Sequence, residues 1–426
     1  MQPVKISISG DYIDCQIYRG RLYLWTFDGT VKVYNWDEMI NSLSDNISDA
    51  VTLKFCFLDG NALYRTDLKG LFKDPDYKNI LIQKIESTAE QVYTLTEEAA
   101  DEFLYGQQGT PGNELPTDTE IYSNTLYYIN DNGLFYSTAH RDNTKYPISS
   151  KPVKLWDCNL LSIKANKYPQ LALSGGSEGL FEYNLSSESM NRWRPKEPNL
   201  ISHKHSSFAN YTFWSIYNTS LVDGSYMALF DLHEIDDNAE GDLMIQSTFS
   251  SSRRNRKSRF KREFRREINE NAIFNNNDRS QHLSWGVDDK IYRAVDNGFE
   301  IVKFKNSPDT DQGESYFTRL RQVDLHPWKG KVIGGGTSYY GTIVECENAL
   351  VVLLSNGASV TIEGPITRWR IYPRSLNYQN HLHVIKDDRI EIYSFNQDYF
   401  LQQNQKVIGL EYKPPSDWSR RFSDSR

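Results

Sequence analysis

The chain has 426 residues, a formal charge of −8, 38% hydrophobic residues and 13% aromatics. Disordered chains are poor in aromatics, so 27 Tyr, 20 Phe and 9 Trp exclude one, and the acidic balance gives no general affinity for nucleic acid. No run approaches the roughly 18 apolar residues of a membrane helix, and the opening MQPVKISISGDYIDC lacks a basic segment followed by an apolar core, so neither secretion nor membrane spanning is expected.

In chain order, VKISISG near the start reads as a strand. RLYLWTFDGTVKVYNW (21–36) then alternates apolar and polar positions on both sides of Asp28-Gly29, the pattern of two strands joined by a tight turn that needs positive φ. NWDEMINSLSDNISDA reads as a short helix, and KFCFLDGNALYRTDL as a second hairpin turning at Asp59-Gly60. TLTEEAADEFLYG (94–106) is predicted as a helix capped by Thr96 and stopped by Gly106. Hairpins recur at Asn132-Gly133, Glu178-Gly179, Asp223-Gly224, Asp288-Asp289 with Asn297-Gly298, Asn356-Gly357 and Asp387-Asp388. KVIGLEYKP, near the end, is also strand-like, so that a strand from one terminus is expected to complete a sheet begun at the other.

A repeat of strand, acidic or Asn turn, and strand, without regular intervening helices, argues against a parallel sheet. Its spacing, with insertions, suits the roughly 40–45-residue period of propeller blades. On TFDGTVKVYNW and its looser relatives the chain resembles the WD40-like β-propeller superfamily, although Trp36-Asp37 and Trp156-Asp157 do not recur as a repeat and the Gly-His dipeptide is absent. The expected fold is all-β: one propeller domain over 1–426, seven-bladed with six or eight as neighbouring counts, carrying partly helical or disordered insertions. A pair of two-sheet sandwiches is the alternative.

Two insertions break the rhythm, 74–119 and 234–281, and a polar tail covers 414–426. The second opens acidic, HEIDDNAEGD, and then carries SSRRNRKSRFKREFRRE, with nine Lys/Arg against two Glu. Arg253, Arg254, Arg256, Lys257, Arg259, Lys261, Arg262, Arg265 and Arg266 are the candidate partner- or phosphate-binding residues. Phe260, Phe264 and Ile268, at i, i+4 and i+8, would form the apolar face of a docking helix for an acidic protein or for the chain's own segment 234–242. A solvated loop, phosphate contact, membrane-surface binding and a nuclear localisation signal are the competing readings of the block.

GxxxxGK[ST], HExxH and CxxC are missing, and GGSEG (175–179), which fits GxSxG by letter, is read as the hairpin turn at Glu178-Gly179 and not as a catalytic motif. VIGGGTSYYG reads as a tight bend entering a strand. His203/His205 and His381/His383 are His-x-His pairs, the second on a predicted strand where both rings point the same way. No third ligand lies near them in sequence, so neither pair is read as a metal site. Cys15, Cys56, Cys158 and Cys346 are widely spaced, as expected of reduced thiols. The sequence therefore points to a non-catalytic cytoplasmic module (nuclear in a eukaryotic host) without cofactor. It would bind another protein in a larger assembly and have no membrane role. A nucleic-acid-associated factor and a propeller hydrolase or lyase with a site at the channel mouth are the alternatives.

Overall fold

Val4, Ile6 and Ile8 alternate with polar residues in β1 (Val4–Ser9), and all three are fully buried. Their partner comes from the other end of the chain. β1 pairs antiparallel with β30 (Arg389–Ser394), Ile6 opposite Ile392 and Ile8 opposite Ile390. β28 (Arg368–Ile371), β29 (His381–Lys386), β30 and β1 thus form one sheet, to which β5 (Tyr93–Leu95) adds in parallel beyond β1. The computed structural model describes residues 2–44, 46–58, 74–110, 114–138, 148–149, 151–185, 196–235, 243–245, 258–275, 281–296, 298–305, 308, 315–323, 328, 330–375, 377–401, 405–407 and 409–410. The tail 414–426 lies outside the described residues.

Seven such sheets follow one another along the chain, making a seven-bladed β-propeller. By internal contacts the chain divides into two units. The first holds the sheet just described and two others. One is β2 (Tyr12–Tyr18), β3 (Arg21–Thr26), β4 (Thr30–Asn35) and β6 (Leu104–Gly109). The other is β24 (Val332–Ser338), β25 (Gly341–Cys346), β26 (Ala349–Leu354) and β27 (Ser359–Glu363). The second unit holds three. They are β11 (Ser162–Ala165) to β14 (Asn199–Ser202) through β12 (Gln170–Ser174) and β13 (Leu180–Asn184); β15 (Phe208–Thr212), β16 (Ser215–Thr219), β17 (Tyr226–Ile235), β19 (Ser258–Asn269) and β18 (Leu243–Ile245), in that spatial order; and β20 (Gln281–Val287), β21 (Lys290–Val295), β22 (Gly298–Phe304) and β23 (Phe317–Val323). The residues of the remaining sheet, β7 (Asp118–Tyr122) to β10 (Val153–Trp156) through β8 (Thr125–Asn130) and β9 (Gly133–Thr138), are divided between the units.

The turn chemistry follows the sequence. Asp28 Oδ1 accepts from the Thr26 hydroxyl at 2.6 Å and from the Thr30 N–H at 3.0 Å, and Gly29 takes φ +79°. At Gly133, φ is +126° and a Cβ would sit 2.0 Å from the Trp156 carbonyl oxygen, so no side chain fits.

Four expectations need correction. KFCF is helix, not strand: α1 (Trp36–Ser42) is followed by α2 (Ile47–Phe57), capped by the Asn46 side chain on the Ser48 N–H. Leu53, Cys56 and Phe57 recur on one helical face and are fully buried; the turn at Asp59-Gly60 lies outside the described residues. A further helix, α3 (Pro75–Ala89), follows. The helix after Thr96 is short, α4 (Glu97–Asp101), because the chain from Leu104 is needed as the outer strand beside β4. VIGGGTS is a strand rather than a bend; Gly336 leaves room for the Trp369 ring and Gly334 for the Glu345 side chain. Residues 405–407 and 409–410 are not strand. They are fastened to β24–β27 by Val407 N–H to the Ser355 carbonyl at 2.7 Å and by Thr342 Oγ1 to the Leu410 carbonyl at 2.8 Å.

The core of the first unit joins β1 to the helices. Val4, Ile6 and Ile8 pack with Trp36, Met39, Ile40, Leu53, Phe57 and Ile85. Ile6→Ala should destabilise the protein by about 2–5 kcal/mol, measured as a lower urea midpoint. A shift below 1 kcal/mol would show that β1 is dispensable.

Candidate partner-binding site

The basic block is strand where it is described. β19 spans twelve residues, and β17, its neighbour, ten, against five each for β15 and β16. The two long strands pair from Tyr226↔Asn269 to Ile235↔Arg259, and β18 adds on the far side of β19 through Leu243↔Phe260. The start of the acidic segment 234–242 is therefore joined to the block by backbone pairing at Glu234 and Ile235. Arg253, Arg254, Arg256 and Lys257 lie outside the described residues.

The helical face proposed for Phe260, Phe264 and Ile268 is absent. A register shift opposite Leu229/Phe230 leaves Arg265 as the extra residue, with Arg266 facing Leu229 and Phe264 facing Phe230. Because successive strand residues alternate faces, the bulge sends Phe264 and Ile268 to opposite faces. Ile268 packs on the cluster of Met227, Leu229 and Phe304. Phe264 stays 45% exposed, its ring edge-on to Phe230 at 5.7 Å.

The cations divide by face. Lys261, Arg265 and Arg266 are exposed. Lys261 pairs with Glu263, whose carboxyl it holds below the usual range, and Arg265 pairs with Asp231 at 3.3 Å and with the Tyr316 hydroxyl. Arg262 contradicts its place among the partner-binding residues: its side chain is only 3% exposed. It binds the buried Glu182 carboxylate, donates through Nε to the Trp214 carbonyl and lies 3.5 Å from the centre of the Phe230 ring. Glu182 is held from its other oxygen by the Tyr211 hydroxyl at 2.9 Å. Arg262 is thus a core residue of this sheet.

A second polar cluster escaped the sequence reading because its members are scattered. Arg370 forks onto Asp14 through Nε and Nη2 at 2.9 and 2.7 Å and reaches Asp118 at 2.6 Å. Arg368 binds Asp118 at 3.2 Å and the Thr117 carbonyl at 2.7 Å, and Thr119 Oγ1 donates to Asp14 at 2.7 Å. Burial opposes the Arg370 charge, but Asp14 and Asp118 outweigh it and hold the guanidinium protonated. β2, β7 and β28 each open their sheet, so this two-arginine, two-aspartate cluster ties three sheets of neighbouring sequence origin by charge-assisted bonds.

His381 and His383 do share one side of β29, as expected, and both are fully buried. His381 stands among the rings of Trp36, Phe57, Tyr378 and His383. His383 Nδ1 lies 3.3 Å from the Tyr372 hydroxyl and 3.8 Å from Cys15 Sγ. Burial lowers both imidazoles, His381 to about 3, only partly offset by the Cys56 backbone, and His383 well below its ordinary value with His381 adding to the effect. Burial likewise raises the Cys15 thiol to about 12. Both rings are neutral in the folded protein. Among the described residues no group of three or more His, Cys, Asp or Glu is placed to hold a metal ion. His203 and His205 do not lie on a strand; His205 Nδ1 meets Ser220 Oγ at 3.1 Å.

Two outcomes follow. Arg370→Met removes the fork on buried Asp14, leaving it Arg368 at 3.7 Å and the Thr119 hydroxyl, and should cost up to about 3–5 kcal/mol, whereas Lys261→Ala should cost less than about 1 kcal/mol; parallel urea melts decide this. For the histidines, the unfolded state binds protons that the folded state refuses, so stability is full above about pH 6.5 and falls as pH drops toward 3. Between pH 7.5 and pH 5, His381 alone should remove about 2 kcal/mol. His381→Phe should flatten that part of the pH profile, and an unchanged profile would contradict a buried neutral ring.

Among the described residues no helix is long and apolar enough to cross a membrane. No protein-family model matches the chain, and no curated protein matches it. Solved structures similar to it include the WD40 domain of Neurospora crassa Pan2 (6% identity, 90% of this chain and 89% of that one, TM-score 0.42). The computationally designed protein Ika8 (7% identity, 93% and 100%, TM-score 0.40) and the AfRom2 CNH domain (12% identity, 66% and 94%, TM-score 0.34) are others.

Proposed function

We propose that the chain is a non-catalytic propeller module that binds a partner protein, and that the β17–β19 extension is its docking element. The observation that carries this reading is Phe264, a large aromatic left 45% exposed on a paired strand that also exposes Lys261, Arg265 and Arg266. A strand that exposes both an apolar ring and cations suits an acidic protein surface, since aromatic and arginine side chains supply interface hot spots and complementary charge speeds encounter. Phosphate contact by the described part of the strand is weakened by the carboxylates already beside its cations, Glu263 on Lys261 and Asp231 on Arg265. The absence of GxxxxGK[ST], HExxH and CxxC supports the non-catalytic reading, as does the place of GGSEG (175–179) in the β12–β13 hairpin and not in a strand-to-helix turn, and the assembly would be cytoplasmic or nuclear.

The test is affinity capture from host extract with the wild-type chain and with a Phe264→Ser/Arg266→Glu variant of equal urea midpoint. The variant should lose at least tenfold of a partner protein recovered by the wild type, with recovery falling as salt rises. Equal recovery would remove the extension as the docking element. Nuclease-sensitive recovery of RNA or DNA would favour the nucleic-acid reading instead.

A further inference from the structure

Three two-residue turns between the first and second strands of the sheets carry small or polar residues at positive φ: Arg19-Gly20 with φ +49° and +72°, Ser123-Asn124 with +50° and +61°, and Asp288-Asp289 with +46° at Asp288; Tyr339-Tyr340, between β24 and β25, carries two rings without positive φ. The β15–β16 turn departs from this chemistry. It is Phe213-Trp214, with Phe213 at φ +57°. A bulky residue there is strained relative to Gly or Asn, and packing of Phe213 beside Phe304 accounts for only one of the two rings.

What the rings surround is visible. Lys167 Nζ lies 5.0 Å from the centre of the Tyr168 ring and 5.7 Å from those of Phe213 and Trp214, within reach of attraction between a cation and each ring face. Tyr168 and Trp214 are 6.1 Å apart, as are Phe213 and Trp214. Lys167 and Tyr168 sit on the β11–β12 turn. Asn166 fixes that turn, its side chain accepting from the Lys167 N–H at 2.7 Å and donating to Gln170 Oε1 at 3.1 Å. The Trp214 carbonyl is tied to Arg262 and through it to Glu182. Both tips are therefore held before any ligand arrives. Buried polar atoms nearby without a hydrogen-bond partner among the described residues include Thr212 Oγ1, Arg262 Nη2, Trp214 Nε1, and Oδ2 of Asp288, whose backbone N–H donates to the Tyr211 carbonyl at 3.3 Å. Asp288 and Asp289 also set negative charge on the adjoining tip.

We infer that the Tyr168–Phe213–Trp214 ring set is a binding site for an alkylammonium group offered by a partner protein, a lysine or methylated lysine side chain, which enters by displacing Lys167. Lys167 is a built-in occupant that shows the chemistry the rings accept and keeps the site filled while no partner is bound. The trade is favourable when the incoming group is held by further contacts of its own chain, because an intramolecular cation is exchanged for an intermolecular one at little loss of ring contact. The inference rests on the reading of the chain as an interaction module.

The experiment is calorimetric titration of the wild type and of Lys167→Ala with the peptide Gly-Ser-X-Ser-Gly, X being lysine, trimethyl-lysine or neutral norleucine. Lys167→Ala should bind a cationic peptide at least tenfold more tightly than the wild type, with norleucine bound by neither. The tighter of the two cationic peptides identifies the source. Adding Trp214→Leu to Lys167→Ala should abolish binding, and Trp214→Phe, which keeps a ring, should restore part of it. No binding of either cationic peptide to Lys167→Ala at millimolar concentration would overturn the proposal. So would equal binding of norleucine, or binding that survives Trp214→Leu. Should the peptides fail while Phe264-dependent capture persists, this site alone is refuted; failure of capture with peptide binding intact refutes only the docking role of the extension.

Discussion

The pairing of β1 with β30 is the constraint on which the first unit depends. A short twisted sheet buries its faces only against neighbours, and the sheet that ends the chain has three strands of its own until β1 arrives. β1 then becomes an inner strand, hydrogen-bonded to β30 on one side and to β5 on the other, so it presents no open edge. Val4, Ile6 and Ile8 are the apolar residues that make this placement favourable. The same three fix where the helical insertion must lie, since Trp36, Leu53, Phe57 and Ile85 complete the cluster around them. The insertion between β4 and β6 is consequently part of the core and not an ornament on it.

Among the described residues, three buried arginines each have a partner of opposite sign built in. Arg370 faces Asp14 and Asp118, Arg262 faces Glu182, and Arg293, fully buried, faces Glu300 across β21 and β22. Such pairs contribute little net stability, because desolvation offsets most of their attraction. They do penalise every arrangement that separates them. Each therefore fixes which strand lies beside which, a task that interchangeable Val and Ile residues perform poorly in a repeated fold.

The hairpins were legible because their signal is local. Alternation and the Asp-Gly or Asn-Gly dipeptide lie within a dozen residues, and both act through backbone geometry. The helix over Ile47–Phe57 was misread for a related reason: KFCF followed by Asp-Gly has a hairpin's local form, while the pattern of Leu53, Cys56 and Phe57 becomes decisive only once β1 supplies the surface they cover. The Arg370 cluster had no local signal at all. Asp14, Asp118 and Arg370 are more than a hundred residues apart in sequence, and nothing in their flanks distinguishes them from surface charges. The ring set around Lys167 was hidden in the same way, although Phe-Trp at a two-residue turn is a signal that turn chemistry alone can flag.

The basic block shows how a charge run can mislead by being averaged. Its i, i+4, i+8 apolar spacing fits a helix, but 4 is also an even number, so the same residues fit one face of a strand. What decided between them was the pairing offered by β17, whose ten residues give β19 a ladder along most of its length. The bulge at Arg265 then broke the even spacing and separated Phe264 from Ile268. It also sorted the cations: Arg262, before the bulge, points at Glu182 and serves the core, while Arg265 reaches Asp231 and Tyr316 at the surface. A count of nine positive residues treats these as equivalent. The strand does not, and only those cations it turns outward, together with the exposed ring of Phe264, remain for another molecule to recognise.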